Sequence, residues 1–407
     1  MTPPRPRTGE LALSVLVVAH GAWELTQRAL AALAQHTSVS YELIVVDNGS
    51  QDETRRGLRE MADARVIINE RNRGFAAANN QAARLAGGEN LLLLNTDAFV
   101  RPDWLAPMLE TLALPGVGAV VPRYLHGDGR LQEAGTLLAR DGTVQVHGDG
   151  DDPEALRYRF RRRVDHGGAA CMLIARRTYE ALGGFDESFT IAYYEDADLC
   201  LRLAERGLSV VYEPRATVTH LRYGSGSPGR AAELSERNRH LFTGRWGRRL
   251  VPRPWTLPGA GGQAAIAARD ALATPRVLLR CPAPRADTLL GGLLGRLPAG
   301  RLTWVPEPLG DGPPVDPWLA RGVEVADELD PGWLDHRLFH YDIVVLDGDP
   351  EPRFAAAALR TQPQARRVRA DELAEGLGSA SALTELLAVP VQDPPRPFFD
   401  TAAELAA

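Results

Sequence analysis

Four strand-like segments, at residues 15–18, 42–46, 66–69 and 91–94, alternate with stretches of helical character at 23–35, 52–62 and 79–85. A short continuous apolar run such as Val15-Leu16-Val17-Val18 or Leu91-Leu92-Leu93-Leu94 is the pattern of a strand buried on both faces. Strands of that kind alternating with helices pack as a parallel sheet covered by the helices. Ligands of such sheets bind beyond the carboxyl ends of the strands, so the residues after each run are the first candidates for function. They are Ala19-His20, Asp47-Asn48, residues 69–72 and Asn95-Thr96-Asp97, and all four groups bring polar side chains.

After about residue 115 the alternation loosens. A Gly- and Asp-rich stretch at 127–152 predicts a hairpin and a mobile loop. A strand at 169–175, a short helix at 178–182 and the turn Gly183-Gly184-Phe185-Asp186 follow. Glu195, Asp196 and Asp198 then open a helix closed by Gly207. Strands at 210–212 and 217–220 deliver His220 to a loop beside the flap-like residues 224–227. A helix N-terminus favours negative charge, so on local grounds Glu195 and Asp196 read as capping residues. The second acidic site at Asn95-Thr96-Asp97, also at a strand end, turns the reading toward one shared cleft. Beyond a Pro-, Gly- and Ala-rich linker at 251–275, strands at 277–279, 302–305, 323–325, 343–346 and 367–369 predict a second, smaller α/β domain. The expected organisation is a disordered tail at 1–10, a first domain at 11–250, the linker, a small domain at 276–390 and a tail at 391–407. In the small domain Gly291-Gly292 and Gly295 follow a helical stretch rather than a strand, and Asp347-Gly348-Asp349 reads as a turn.

Composition narrows the chemistry. With 407 residues, 44% of them hydrophobic and 24% charged, the chain can bury a large core and belongs with ordered proteins. A formal net charge of −6 argues against generic nucleic-acid binding. The sequence has no lysine, which excludes Schiff-base chemistry and the ordinary P-loop. Three scattered cysteines make neither a zinc site nor a disulfide framework, and a reducing cytoplasm is the expected setting. No apolar run approaches the roughly 18–20 residues that span a bilayer, so membrane contact is expected to be peripheral at most, at the inner face.

Four signatures occur in order: Val45-Val46-Asp47-Asn48-Gly49-Ser50, Asn72-Arg73-Gly74-Phe75-Ala76-Ala77-Ala78-Asn79, Leu94-Asn95-Thr96-Asp97, and Gly183-Gly184-Phe185-Asp186-Glu187 leading to Glu195-Asp196-Ala197-Asp198-Leu199. Together, over roughly residues 13–246, they resemble the family 2 glycosyltransferases of GT-A fold, especially bacterial rhamnosyltransferase-like members that build surface polysaccharides. The resemblance implies a Rossmann-like, nucleotide-diphospho-sugar transferase domain with the smaller α/β domain behind it. It implies a UDP- or dTDP-linked donor, a glycan or lipid-linked acceptor, inversion at the anomeric carbon, and a divalent cation, Mn2+ or Mg2+. It places Ala19, His20, Asp47, Asn48, Ser50, Asn72, Gly74, Phe75, Asn79, Asn95, Thr96 and Asp97 around the donor. Asp97 and His220 become metal ligands, Asp196 the base, and Glu195 or Asp198 a group orienting the loop or acceptor.

Chemistry residue by residue is compatible with that picture and leaves alternatives. Asp47 at a strand end can accept hydrogen bonds from a ribose or base, or be a turn acid before Asn48-Gly49. Asn79 either positions the donor or holds its own loop. Asn95 stands where the family often has an acid, which removes one carboxylate but keeps a carbonyl oxygen. His220 reads as a ligand or as a structural or supporting donor. Tyr193, Tyr194 and Trp104 suit either sugar stacking or the core. Two other functions remain in view: nucleotidyl transfer, which usually wants a basic group at the attacked phosphate, and a degenerate sugar-nucleotide binder.

Overall fold

Strand β1 (Leu13–Ala19) lies at the centre of the first sheet, and its burial on both faces follows from flanking strands on each side and helices above and below. The computed structural model describes residues 12–222, 228–253, 275–297, 300–307, 315–326, 331–337, 340–348 and 352–387. The chain divides into two compact units, the first formed by residues 1–153 and 162–250, the second by 154–161 and 251–407.

In the first unit the alternation predicted from the sequence continues through α1 (Trp23–His36), β2 (Tyr41–Asn48), α2 (Thr54–Arg59), β3 (Arg65–Asn69), α3 (Phe75–Ala83) and β4 (Asn90–Asn95). β1 pairs in parallel with β2 and β4, and β2 with β3, so the ends of all four strands point the same way. There follow β5 (Ala98–Val100), α4 (Leu105–Leu112), β6 (Val117–Leu125), β7 (Leu131–Glu133), β8 (Thr136–Leu138), β9 (Val144–Val146), β10 (Arg162–Val164), β11 (Cys171–Ala175), α5 (Arg176–Ala181), α6 (Glu195–Glu205), β12 (Ser209–His220) and α7 (Pro228–Leu250). The sheet runs β10-β12-β6-β11-β4-β1-β2-β3, with β5 on β12 and β7 on β6. β11 runs antiparallel between β4 and β6, so its first residues lie at the carboxyl end of β4.

Several elements differ from the sequence reading. Helix α3 begins at Phe75 rather than at 79, because Gly74 takes a left-handed φ of 89° that turns the chain directly into the helix. Phe75 and Asn79 are therefore helical. The strands expected at 210–212 and 217–220 are one strand, β12, with a register shift between Glu213 and Thr217. The expected hairpin within 127–152 is β8–β9, whereas β5, β7 and β10 have only three residues each and carry no periodic signal. The flap-like residues 224–227, most of the linker and both tails lie outside the described residues.

The core of this unit lies on one face of the parallel strands, where Val15, Val17, Val45, Leu92 and Leu94 pack with Trp104, Met108, Tyr124 and Val218. Trp104 is fully buried there, which makes it core and not a stacking platform. Tyr194 is likewise buried, against Phe242, and its hydroxyl donates to Gly142 O.

The second unit is a five-stranded parallel sheet built from β13 (Arg276–Cys281), α8 (Ala283–Leu294), β14 (Arg301–Pro306), α9 (Asp316–Ala320), β15 (Glu324–Val325), β16 (Ile343–Leu346), α10 (Pro352–Thr361), β17 (Arg366–Arg369), α11 (Ala370–Gly376) and α12 (Ala380–Leu387). Its order is β15-β14-β13-β16-β17, the doubly wound arrangement with its switch point between β13 and β16. Phe160, from the 154–161 segment, is buried in this unit's core with Trp304 and Trp318. No helix among the described residues is long and apolar enough to cross a membrane.

Candidate active site

The carboxyl ends of β1 and β2 are knitted together by polar side chains. Gly21 N–H donates to Ser50 Oγ, Ala22 N–H donates to Asp52 Oδ2, and His20 Nδ1 lies 3.1 Å from Asn48 O. Asn48 is saturated: its amide donates to Asn72 Oδ1 and Gly74 O, and its carbonyl accepts from Asn69 Nδ2 and Arg73 N–H. Asn72 Oδ1 also accepts from Gly74 N–H. These bonds fix the 69–74 loop against the end of β2, so the first two signatures form one structural unit.

Asp47 departs from its expected role. It is completely buried, Oδ1 accepts from Ser50 N–H and Oδ2 from Arg55 Nε at 2.9 Å. Both oxygens hold the β2–α2 turn, and the turn-acid alternative is what the geometry shows. Arg55, unremarked in the sequence, also donates to Asn69 O. Asn48 is engaged in the same way, its side-chain amide meeting Asn72, Gly74, Asn69 and Arg73. Asn79, buried on α3, donates to Phe75 O one turn back, the scaffolding alternative. Its neighbour Asn80 makes the long-range contact instead. Asn80 Nδ2 donates to Phe185 O and Glu187 Oε1, and Oδ1 accepts from Tyr179 Oη and Phe185 N–H, tying α3 to the fourth signature. Adjacent asparagines look alike in sequence, and only the helix phase separates them. Phe75 packs against Phe185 and its N–H donates to Ile191 O.

At the end of β4, Asn95 is half-buried, while Thr96 and Asp97 are buried. β5 pairs with the end of β12, bringing Ala98 opposite His220 and placing His220 Nε2 3.5 Å from Asp97 Oδ1. The other face of that imidazole is held by Gln132, which precedes Glu133 on β7. Gln132 Nε2 donates to His220 O at 2.8 Å, so Gln132 Oε1 is the atom that faces His220 Nδ1, also at 2.8 Å. Gln132 Nε2 further lies 3.2 Å from His126 Nδ1, and His126 Nε2 lies 2.7 Å from Asp149 Oδ1. Each donor in this chain meets an acceptor only if His220 carries its proton on Nδ1. Nε2 is then the ring atom that faces Asp97 Oδ1, and an imidazole nitrogen and a carboxylate oxygen are both atom types that ligate divalent cations. No cluster of three or more His, Cys, Asp or Glu ligands exists among the described residues. A cation here would need oxygens from a bound ligand, as hard divalent ions on phosphates usually have.

The third group is α6. Tyr194 enters it in a left-handed conformation and offers no side-chain cap. Asp196 Oδ2 accepts from Ala169 N–H and Oδ1 from Ala197 N–H, with His166 Nε2 3.2 Å from Oδ1. Ala169 leads into β11, and its neighbour Ala170 accepts from Asn95 N–H. Asp196 therefore stands over the end of β4, beside Asn95. Its charged form is opposed by burial, yet the His166 imidazole and the two backbone N–H groups outweigh this and hold its carboxyl below the usual range. Glu195 behaves oppositely. It is buried, its Oε2 meets no hydrogen-bond partner, and burial with the neighbouring Asp196 charge pushes its pKa well up. Asp198, expected as an orienting group, is instead wholly internal: Oδ2 pairs with Arg202 Nε, and Oδ1 with Arg245 Nη1 and Trp246 Nε1. It bolts α6 to α7. The sequence reading missed His166, Gln132 and Asn80, whose positions carry no spacing signal.

A mixed sheet with polar groups gathered at the carboxyl ends of its parallel strands, and acids from other elements folded over that edge, makes the first unit a Rossmann-like α/β domain. The profile of glycosyl transferase family 2 matches residues 14–181. The chain is 35% identical over 192 residues to an uncharacterized protein, y4gI, of Sinorhizobium fredii, covering 44% of this chain and 21% of that one. It is 33% identical over 198 residues to the O-antigen biosynthesis protein RfbC of Myxococcus xanthus, covering 46% of this chain and 15% of that one. It is 27% identical over 279 residues to an N-acetylglucosaminyl-diphospho-decaprenol L-rhamnosyltransferase of Mycobacterium tuberculosis, covering 61% of this chain and 90% of that one. The chain thus spans about a fifth or less of the length of the first two relatives.

Proposed function

We propose that the first unit transfers a sugar from a nucleotide-diphosphate donor to a hydroxyl of a glycan or lipid-linked acceptor, with inversion, in the making of a surface polysaccharide or other glycoconjugate. The observation that carries this reading is the convergence at the end of β4: the Asp97–His220 pair on one side, and Asp196, through Ala169 and Ala170, on the other. Asp97 and His220 would hold a divalent cation, Mn2+ or Mg2+, whose charge stabilises the departing diphosphate. Asp196 takes the proton of the acceptor hydroxyl as that oxygen bonds to the anomeric carbon and the bond to the diphosphate breaks. The electron pair leaves with the diphosphate, so no covalent enzyme intermediate is needed. Ser50, Asn72, Gly74 and Thr96 shape the donor side, with Ala19 and His20 at the end of β1. Asp47 and Asn48 hold that side in place.

The test is donor turnover: UDP- and dTDP-sugars with Mn2+ or Mg2+, for the intact chain, Asp97→Asn and Asp196→Asn, each checked for folding. Metal-dependent nucleotide release lost in both variants is expected. Binding of a nucleotide sugar with no turnover under any acceptor would favour the degenerate binder, to which Asn95 in place of an acid points.

A further inference from the structure

His166 lies outside all four signatures, yet it is the side chain set directly behind Asp196. It is buried in the loop between β10 and β11, and a pair of backbone bonds joins it to Thr136 at the start of β8: Thr136 N–H to His166 O at 3.2 Å and His166 N–H to Thr136 O at 3.4 Å. Thr136 Oγ1 contacts both His166 O and the ring Nδ1. With the backbone and Nδ1 fixed in this way, Nε2 lies 3.2 Å from Asp196 Oδ1, an ion-pair distance at an angle that falls short of a hydrogen bond.

We propose that His166 is a positioning residue for Asp196: its imidazole, held by Thr136 behind the ring, pairs with Oδ1 as an ion-pair partner and keeps the carboxylate in the orientation in which it receives the acceptor proton. This inference rests on the reading of Asp196 as the base. Desolvation of the half-buried Asp196 would otherwise favour its protonated form, which cannot serve as a base. The groups around the pair are few. Asp196 meets Glu195 on its own helix, the Ala169 and Ala197 N–H groups, and, at longer range, the hydroxyls of Tyr124 on β6 and Tyr194 and the thiol of Cys200. His166 meets Asp196, Glu133 on β7 and Asp165. Burial works against its charged form, but these three carboxylates overcome it and raise its pKa. Both shifts favour the charged pair, a cationic imidazolium against a carboxylate. When Asp196 takes the proton of the acceptor, it becomes a neutral acid beside that cation, which favours its return to the ionised state for the next turnover.

The experiment compares the intact chain with His166→Phe, His166→Gln and Asp196→Asn. Glutamine keeps a donor near Oδ1 without the charge. Expected for His166→Phe is a kcat lower by roughly ten- to hundredfold with the KM for the donor unchanged, and an acid limb of the kcat–pH profile shifted to higher pH. His166→Gln recovers part of kcat but not the position of that limb. Nitrogen-15 NMR of the imidazoles gives a readout independent of turnover: one histidine stays cationic above neutral pH in the intact chain and titrates normally in Asp196→Asn. An inactive Asp196→Asn together with folded His166 variants whose acid limb and kcat are unmoved would overturn the inference and leave the base in place. Wild-type turnover by Asp196→Asn would instead overturn the base assignment itself. If His166→Phe fails to fold, His166→Gln and the NMR titration decide.

Discussion

Replacing Asp198 by alanine separates an architectural acid from a catalytic one on the same helix. Its carboxylate is fully buried and is met by Arg202 Nε at 2.7 Å, Arg245 Nη1 at 2.7 Å and Trp246 Nε1 at 2.9 Å. Truncating one member of a buried charge network costs about 3–5 kcal/mol, because the partners are left without a counter-charge. Here both guanidiniums are partly exposed, so water can reach them and the lower end applies, about 3 kcal/mol. For a unit of this size that corresponds to a fall in Tm of about 6–12 °C. Asp198→Asn keeps an oxygen for Arg245 and Trp246 but turns an amide N–H toward Arg202, and should lose about half as much. Thermal unfolding followed by circular dichroism, with turnover measured well below the lowered Tm, provides the assay. Asp198→Ala unfolding within 2 °C (about 0.5–1 kcal/mol at this size) of the intact chain would refute the argument. So would full stability combined with lost turnover, which would return Asp198 to the acceptor side of the site.

Other outcomes follow from single contacts. Gln132→Leu removes the group that sets the His220 proton on Nδ1, and Mn2+ affinity measured by titration calorimetry should weaken by roughly 10- to 100-fold with the fold intact. Glu195→Gln should stabilise the protein at neutral pH and not at pH 4. In the folded chain burial and the Asp196 charge raise the Glu195 pKa above its ordinary 4.5, so the folded state keeps a proton the unfolded state gives up. Stability of the intact chain then falls by about 1.4 kcal/mol per pH unit through that window, and the glutamine variant escapes this; urea midpoints at pH 4 and 7.5 check it. Gly74→Ala should cost about 1–3 kcal/mol and weaken donor binding. The position has φ 89°, and an added Cβ would stand 2.9 Å from Ile191 O; the urea midpoint and the nucleotide-sugar Kd measure the two effects.

The parallel half of the first sheet was legible because each strand is a continuous apolar run and each connection a helix. The register of β1 against β2 and β4 puts Ala19 and Asp47 level at one edge, with Asn95 beside Val18. The short strands β5, β7 and β10 were not legible, since three residues give no period and their pairing depends on partners far along the chain. Asp47 illustrates the limit within a correct motif. Its place at a strand end suggested a ligand contact, but Arg55, one helix later, folds back onto it. Asp198 was misplaced in the same way: it sits two residues from Asp196, yet the arginine and tryptophan that claim it come from α7, a helix whose polar composition gave no cue.

What the sequence by itself determined is therefore which strand ends carry acids and amides, and that no lysine is present. Tertiary structure alone decided which of those polar groups are engaged in holding the protein. The direction of a side chain is set by helix phase and by partners distant in the chain. Asn79 and Asn80, adjacent in sequence, end with one on its own helix and the other across to Phe185, and the same distant packing brought His166 and Gln132 behind Asp196 and His220.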